Sequence, residues 1–130
     1  MDRGLIESTK SLIADAGAGG LGEVLKPLNR EIYLFDTYIA GTTYLKDKSV
    51  LDTIERGDRL ILKREDNRYD GNAILVLNAE GKKLGYVPER DNIVFARLMD
   101  AGKLLSARIK KVDDKGSFKK VKIEIYLIDF

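Results

Sequence analysis

The stretch from Leu60 to Tyr86 constrains the fold of this chain most strongly, because it places three apolar runs around two turns. Short alternating runs of this kind are typical of β-strands. The second turn, Asn78 to Lys82, contains Gly81 and predicts an ordinary hairpin. The first turn, Glu65 to Asn72, carries more charged residues than a reversal of the chain requires. Because binding groups tend to lie on loops held by a rigid sheet, the first turn is a candidate binding site.

The same alternation continues on both sides of this stretch. The segment 31–41 is rich in β-branched and aromatic residues and predicts a first strand. Residues 105–110 and 120–127 predict two half-exposed strands joined by a polar loop. The pattern predicts a mainly β fold, a small six-stranded antiparallel barrel with short helices. The side chains expected in its core from the last strand are those of Val121, Ile123, Ile125 and Leu127.

Two short helices are predicted between the strands. Ser49, with Asp52 three residues later, resembles a capping box at the start of the first helix. Asp91 or Asn92 is expected to cap the second helix, and Gly102 to end it. The expected buried face of the second helix consists of Val94, Phe95, Leu98 and Met99.

The chain has 130 residues, which is long enough for one domain with its own core. Residues 1–30 read as an N-terminal helix followed by a glycine-rich connector, and residues 31–130 as the barrel domain. No apolar run approaches the roughly 20 residues of a membrane-spanning helix. The first residues lack the features of a signal peptide. We therefore expect a cytoplasmic location and no membrane contact.

The composition restricts the chemistry. The chain has no cysteine and no histidine, which removes thiolate chemistry, the commonest metal ligand and the commonest general base. We therefore expect no cofactor, no bound metal and no catalytic residue. The net charge is only +2, but eight basic residues stand against two acidic ones between Lys103 and Lys122. A local basic face of this kind is suited to contacts with phosphate.

Aromatic residues at turns and strand ends are accompanied by cations. The rings are those of Tyr44, Tyr69, Tyr86 and Phe118. The neighbouring cations are Arg64, Arg68, Arg90 and Lys119. Rings interleaved with cations suit single-stranded nucleic acid, because bases stack on rings and phosphates pair with cations. The alternative is that the rings close the ends of the barrel and the cations are simply solvated.

Three motifs resemble the HIRAN domain family. The turn from Arg64 to Ile74 is one of them, and the segment from Leu84 to Pro88, which precedes a helix, is another. Ala40 to Tyr44 is similar to the opening motif of that family, and the resemblance covers about residues 34–128. The family occurs within DNA-repair helicase-like proteins and as small stand-alone bacterial proteins. The resemblance implies an OB-like barrel that is not an enzyme and that captures the 3′ end of single-stranded DNA in a pocket.

The resemblance also implies roles for individual residues. Tyr69 would be the pocket tyrosine, Asp70 the aspartate that receives the terminal 3′-hydroxyl, and Tyr44 a lining residue. Phe118 would stack on a base. Further contacts are expected from Thr43, Arg64, Asn67, Arg68, Tyr86, Arg90 and Lys119. Thr43 stands where the DNA-binding members carry an arginine, and Glu89 stands at a basic position of the family.

Two other functions remain open at this point. The barrel would serve as a protein-interaction module if the first turn were only structural, with Asp70 accepting the N–H groups of Gly71 and Asn72. A metal-dependent nuclease would use Asp70 and Glu80 beside Lys82. The expected partner is single-stranded DNA or another nucleic acid, with DNA-repair or replication proteins as further candidates. The oligomeric state is left open.

Overall fold

The computed structural model describes residues 30–129 of the chain. The predicted N-terminal helix and glycine-rich connector lie outside these residues. One compact unit spans Ile32–Ile128. The described part forms an α-helix, α1, over Asn92–Asp100 and 3₁₀ helices over Thr42–Tyr44 and Lys48–Asp52. Its strands are β1 (Arg30–Tyr38), β2 (Arg59–Arg64), β3 (Ile74–Asn78), β4 (Lys83–Tyr86), β5 (Leu104–Asp114) and β6 (Lys119–Asp129).

The strands form one six-stranded sheet in the order β1-β6-β5-β2-β3-β4. Just beyond β1, the Ala40 N–H donates to the Tyr86 carbonyl at 2.8 Å, and the Tyr86 N–H donates to the Ala40 carbonyl at 2.9 Å. These two hydrogen bonds join the first and last strands of the sheet, and we call this junction the seam. The seam closes the sheet into a barrel, so the prediction of a six-stranded antiparallel, OB-like barrel is confirmed.

The alternating strands deliver their apolar residues to one core, as predicted. Leu60 and Leu62 from β2 are buried there, together with Leu105, Ala107 and Ile109 from β5. From β6, Val121, Ile123 and Ile125 are fully buried, and Leu127 is half-buried against the same core. Lys122 and Glu124 remain partly exposed, so the predicted register of β6 is correct.

The start of the first short helix differs from the prediction. The segment Lys48–Asp52 is a 3₁₀ helix, and its cap is Asp47 instead of Ser49. The Asp47 carboxylate accepts hydrogen bonds from the backbone N–H and the hydroxyl of Ser49. The capping box of Ser49 and Asp52 is therefore wrong by two residues, because an aspartate just upstream has the same capping ability.

The predicted buried face of α1 is partly wrong. Val94 is 61% exposed, whereas Asn92, Phe95 and Ala96 are buried. Leu98 and Met99 pack partly against the core as predicted. Asp91 occupies the cap position, but its side chain makes no capping hydrogen bond and instead accepts one from the Thr37 hydroxyl at 2.7 Å. The buried face has helical spacing, and it is centred on the polar Asn92, which an apolar pattern does not detect.

Candidate functional site

The side chain of Arg64 holds the loop after β2 in place through hydrogen bonds. Its guanidinium donates to the carbonyls of Ala73 at 2.6 Å and Gly71 at 2.8 Å. It also donates twice to the carboxylate of Asp100 at the end of α1, at 2.9 and 3.2 Å. This ion pair raises the pKa of Arg64 and lowers the pKa of Asp100. Arg64 therefore ties the loop to the helix and has little donor capacity left for a ligand.

The first half of the loop rests on the barrel seam. The Asn67 side chain accepts from the Tyr69 N–H at 2.8 Å and donates to the Glu65 carboxylate at 3.1 Å. The same Glu65 oxygen accepts from the Tyr86 hydroxyl at 2.8 Å. The backbone of Tyr86 also forms the seam with Ala40. The backbone of Tyr69 is therefore connected to the barrel closure through three side chains, those of Asn67, Glu65 and Tyr86.

Asp70 is held by both of its carboxylate oxygens. Oδ1 accepts from the Asn72 N–H and Oδ2 from the Asn92 side-chain amide, each at 2.9 Å. The first bond is that of a turn aspartate. The second reaches α1, where Asn92 is only 1% exposed. The role of Asn92 was missed, because at the start of a helix an asparagine is first taken for a cap.

Two tyrosine rings among the predicted residues project into solvent. Tyr69 is 84% exposed and Tyr44 is 89% exposed. The guanidinium carbon of Arg68 lies 5.6 Å from the centroid of the Tyr69 ring. Thr43, which precedes Tyr44 in the 3₁₀ helix, is exposed as well. The candidate site therefore combines exposed rings with a loop whose backbone is fixed by hydrogen bonds.

Tyr44 lines a cleft of about 520 Å³. Lys83, also in its wall, donates to the Tyr86 hydroxyl at 3.2 Å and lies 4.5 Å from the Tyr86 ring centroid. Tyr86 and Lys83 thus connect the cleft to the Tyr69 loop, although Tyr69 and Asp70 do not line the cleft. The complete lining is Tyr44, Leu45, Lys46, Asp47, Val50, Lys82 and Lys83. Lys46 and Lys83 were missed, and Lys82 was named only for a nuclease, because these lysines flank two separate turns of the sequence.

The ion pairs of the remaining predicted residues are made outside the loop after β2. Arg90 is exposed, and its Nε lies 3.6 Å from the carboxylate of Asp91 at the start of α1. Phe118, in the turn between β5 and β6, is 45% exposed. Lys119 next to it lies 3.5 Å from Asp52 and 3.7 Å from Asp114, so its charge is already balanced.

The predicted basic face between Lys103 and Lys122 is also partly neutralised. Lys110 donates to Asp36 at 2.7 Å, and Lys111 lies 3.6 Å from Asp113. The Lys120 and Lys122 ammonium groups, by contrast, lie 4.4 and 5.8 Å from the centroid of the Tyr38 ring, which holds them in place without cancelling their charge. The excess of basic residues in the sequence therefore overstates the charge that this face offers to a ligand.

Among residues 30–129, no group of three or more histidine, cysteine, aspartate or glutamate residues is arranged to hold a metal ion. Asp70, named above for a metal-dependent nuclease, bonds to Asn72 and Asn92, while Glu80 lies in the exposed turn between β3 and β4. No helix in this part of the chain is both long enough and apolar enough to cross a bilayer.

Solved structures share this architecture. A protein from Lactobacillus plantarum superposes with a TM-score of 0.72 and 28% identity, over 78% of this chain and 99% of that one. The crystal structure of the HIRAN domain of human HLTF gives a TM-score of 0.61 at 17% identity, over 76% of this chain and 79% of that one. The NMR structure of the HLTF HIRAN domain in its DNA-bound conformation gives 0.57 at 17% identity, with the same coverage.

Sequence comparison identifies the family directly. No curated protein matches the chain. The profile of the HIRAN domain, however, matches residues 32–128, which is nearly the whole described barrel. The chain therefore belongs to the HIRAN domain family.

Proposed function

We propose that this protein is a non-enzymatic module that binds single-stranded DNA, with the 3′-hydroxyl end held beside Tyr69 and Asp70. The observation that carries the proposal is the 84% exposed ring of Tyr69 on a loop braced by Arg64 and Asn67. A fixed loop can present such a ring to a base without losing further backbone entropy on binding. Stacking on exposed rings is the usual means by which proteins hold single strands.

The comparisons support nucleic acid as the ligand. The HIRAN domain of human HLTF has been determined in a DNA-bound conformation, and this chain shares both its family and its fold. On the barrel described here, the exposed rings of Tyr44 and Tyr69 lie on segments that both contact Tyr86 or its neighbours. A strand lying across Tyr86 would meet both rings.

Asp70 supports recognition of an end. An ionised carboxylate oxygen has about two acceptor sites, and each Asp70 oxygen uses one on Asn72 or Asn92. One site on each oxygen is therefore left for the 3′-hydroxyl. The structural role of Asp70 and its proposed ligand role are compatible, since the two bonds to the protein fix the carboxylate in place. A 3′-phosphate would be repelled by the same negative charge.

The test compares two oligothymidines that differ only in ending with a 3′-hydroxyl or a 3′-phosphate, each labelled at the 5′ end and titrated by fluorescence anisotropy. A charge-assisted hydrogen bond contributes roughly 1.5–3 kcal/mol. We therefore expect the wild-type protein to favour the hydroxyl end by about 10- to 150-fold. Asp70→Asn should remove most of this preference.

A control is needed because Asp70→Asn also disturbs the loop. The new amide would direct a donor at the Asn92 amide, which is itself a donor. Asn92→Ala removes the same bond and keeps the carboxylate, so it should retain the preference for a hydroxyl end even if the protein is less stable. Equal wild-type affinity for the two ends would contradict end recognition.

A protein-interaction module remains the second candidate because of an exposed apolar surface. Ile61 on β2 is 43% exposed and Leu104 on β5 is 52% exposed. Ile61 pairs with Ser106, so Leu104 is its diagonal neighbour on the outer face of the barrel. Replacing both with serine should leave DNA binding unchanged. Loss of DNA binding in this folded variant would place the ligand on the outer face and contradict the proposed site.

A further inference from the structure

The cleft beside Tyr44 has the features of an anion site. Its volume of about 520 Å³ lies within the roughly 300–1,000 Å³ of typical ligand sites. Three lysines, Lys46, Lys82 and Lys83, line it, together with the exposed ring of Tyr44. The side chains of Lys46 and Lys82 make no hydrogen bond or ion pair within residues 30–129. The Lys46 ammonium group is therefore free for a ligand, and Lys82 has only an electrostatic interaction with Asp47, beyond ion-pair distance.

The one acid in the cleft neutralises only part of the positive charge of the three lysines. The Asp47 carboxylate accepts from the Ser49 N–H and hydroxyl. These bonds lower the pKa of Asp47, so it is ionised at neutral pH. Three lysines against one aspartate leave a net charge of +2 on the lining. Leu45 and Val50 add apolar surface. A ring and an apolar wall beside lysines match a ligand that has both phosphates and flat bases.

We propose that this cleft binds the internal sugar–phosphate backbone of the strand whose 3′ end lies at Asp70, with Tyr44 against a base. The proposal rests on the function proposed above and adds a second subsite to it. Lys46 and Lys82 contact phosphates, and Lys83 lies at the junction of the two subsites because it contacts Tyr86. The strand thus runs from the Tyr69 loop across Tyr86 to the cleft.

Binding of phosphates at this cleft should make the affinity depend on salt concentration in a way that recognition of the 3′-hydroxyl does not. Contacts with phosphate carry no sequence information and weaken with salt, by about 0.7 in the log–log slope for each phosphate of a single strand. Replacing Lys46 and Lys82 with alanine should therefore make the slope shallower by about 1.4. The preference for a 3′-hydroxyl over a 3′-phosphate should not change, because neither lysine contacts the Asp70 loop.

The experiment measures affinity for a 5′-labelled oligothymidine over a series of salt concentrations. It compares the wild type, Lys46→Ala/Lys82→Ala, and a matched control, Arg56→Ala/Lys63→Ala. The control removes the same charge from two exposed residues that make no ion pair within residues 30–129, lie outside the basic face between Lys103 and Lys122, and do not line the cleft. The cleft variant should lose slope and affinity, and the control should differ little from the wild type.

A chemical variant of the DNA separates phosphate contacts from general electrostatics. Neutral methylphosphonate linkages in place of internal phosphates should weaken binding to the wild type. They should have much less effect on the Lys46→Ala/Lys82→Ala variant, because its phosphate contacts are already lost.

The outcomes distinguish the two proposals. Suppose that the wild-type protein binds the strand and prefers a 3′-hydroxyl, but that its log affinity falls with log salt concentration at the same slope as that of the cleft variant. This result would overturn the cleft subsite alone. Equal slope changes in the cleft variant and the control variant would overturn it too, by assigning the effect to net charge. Wild-type protein that binds no single strand would overturn both the cleft subsite and the proposed function.

Discussion

At the scale of single residues, the rings of Tyr69 and Tyr86 differ in what they contact. Tyr86 bonds to Glu65 and Lys83 and forms the seam with Ala40, whereas Tyr69 is 84% exposed. A ring that supports the fold and a ring that is available to a ligand can therefore be told apart by substitution. The two residues form a matched pair for mutagenesis.

Tyr69→Ala should weaken binding to single-stranded DNA by about 1–3 kcal/mol, the value of one stacked base. The free energy of unfolding should change by less than about 0.5 kcal/mol, as for other exposed positions. Tyr86→Phe should instead change DNA binding little and lower the free energy of unfolding by about 1 kcal/mol, because the hydrogen bond to Glu65 is lost. Anisotropy titration and urea unfolding measure the two quantities. Normal affinity in folded Tyr69→Ala would mean that this ring has no part in binding.

For individual residues, the sequence predicted the location in a turn or strand better than the hydrogen-bond partners of the side chains. The expected turn bond of Asp70 is present at Asn72, because it depends only on local geometry. The bond from Asn92 was not foreseen, nor was the pairing of Arg64 with Asp100, 36 residues later. Contacts of this kind depend on the path of the chain in space, which a periodic pattern of apolar residues does not contain.

At the scale of secondary-structure elements, the seam is the narrowest junction of the barrel. Gly85 lies beside it on β4 with a φ of 156°. A Cβ atom there would lie 2.3 Å from the Ala40 carbonyl oxygen and 2.6 Å from Cγ2 of Ile39. Both contacts are closer than atoms can approach, and one of them involves the backbone that forms the seam. Glycine is therefore required for β1 and β4 to approach each other.

Gly85→Ala should lower the free energy of unfolding by at least about 2 kcal/mol, the cost of overpacking at a rigid contact. Gly81→Ala is the matched control, because Gly81 also has a positive φ of 88° but has open space around its Cα. It should cost only the backbone strain, about 1–2 kcal/mol. Urea unfolding of both variants measures the difference. A smaller loss for Gly85→Ala than for Gly81→Ala would show that the seam is not tightly packed.

A charged contact links β1 to β5 across β6. Lys110 donates to Asp36 at 2.7 Å, and Glu124 of β6 lies 4.0 Å from the same ammonium group. The bonds from Lys110 and Tyr33 lower the pKa of Asp36 below its ordinary value of 3.8. A carboxyl whose folded pKa is lowered stabilises the protein above its unfolded pKa, and this contribution is lost as the pH falls through the folded pKa.

Asp36→Asn should therefore destabilise the protein at neutral pH and have progressively less effect as the pH falls below 3.8. Thermal unfolding of wild type and variant across this range measures the difference. The control is Asp66→Asn, which changes an exposed carboxylate in the first turn. A difference between wild type and Asp36→Asn that stays constant with pH would contradict a role for the ionised carboxylate.

At the scale of the whole molecule, the described residues form one hydrophobic core. Its members run from Leu34 to Leu127, counting the half-buried residues packed against it. The compact unit Ile32–Ile128 agrees with the match to the HIRAN domain over residues 32–128. We propose that residues 30–130 fold without residues 1–29, in line with the domain boundary predicted from the sequence.

A protein shortened to residues 30–130 should unfold in one cooperative transition and, on the proposed function, should bind single-stranded DNA with the affinity of the 130-residue chain. Small single domains with one core ordinarily behave in this way. Circular dichroism during urea unfolding, followed by anisotropy titration, tests both statements. Loss of the cooperative transition would show that residues 1–29 are needed for the fold.

The fold was more predictable than the site. Alternation such as Leu105, Ala107 and Ile109 reports burial directly, so strands and register follow from the sequence. The residues of the site are polar or exposed, and their sequence pattern does not indicate how deeply each side chain is buried. Val94 marks the boundary between the two, since an apolar residue at the edge of a helix face was predicted to be buried and is 61% exposed.

The two hydrogen bonds at the seam imply an order of opening that amide hydrogen exchange can follow. The strand ladders extend over several residue pairs, whereas β1 and β4 meet at the single bridge of Ala40 and Tyr86. The seam is therefore the part of the barrel expected to open first, below the global unfolding free energy. Such opening would separate the segment of Tyr44 from the loop of Tyr69. A strand bound to both rings would keep the barrel closed, and it would therefore slow deuterium uptake at the Ala40 and Tyr86 amides.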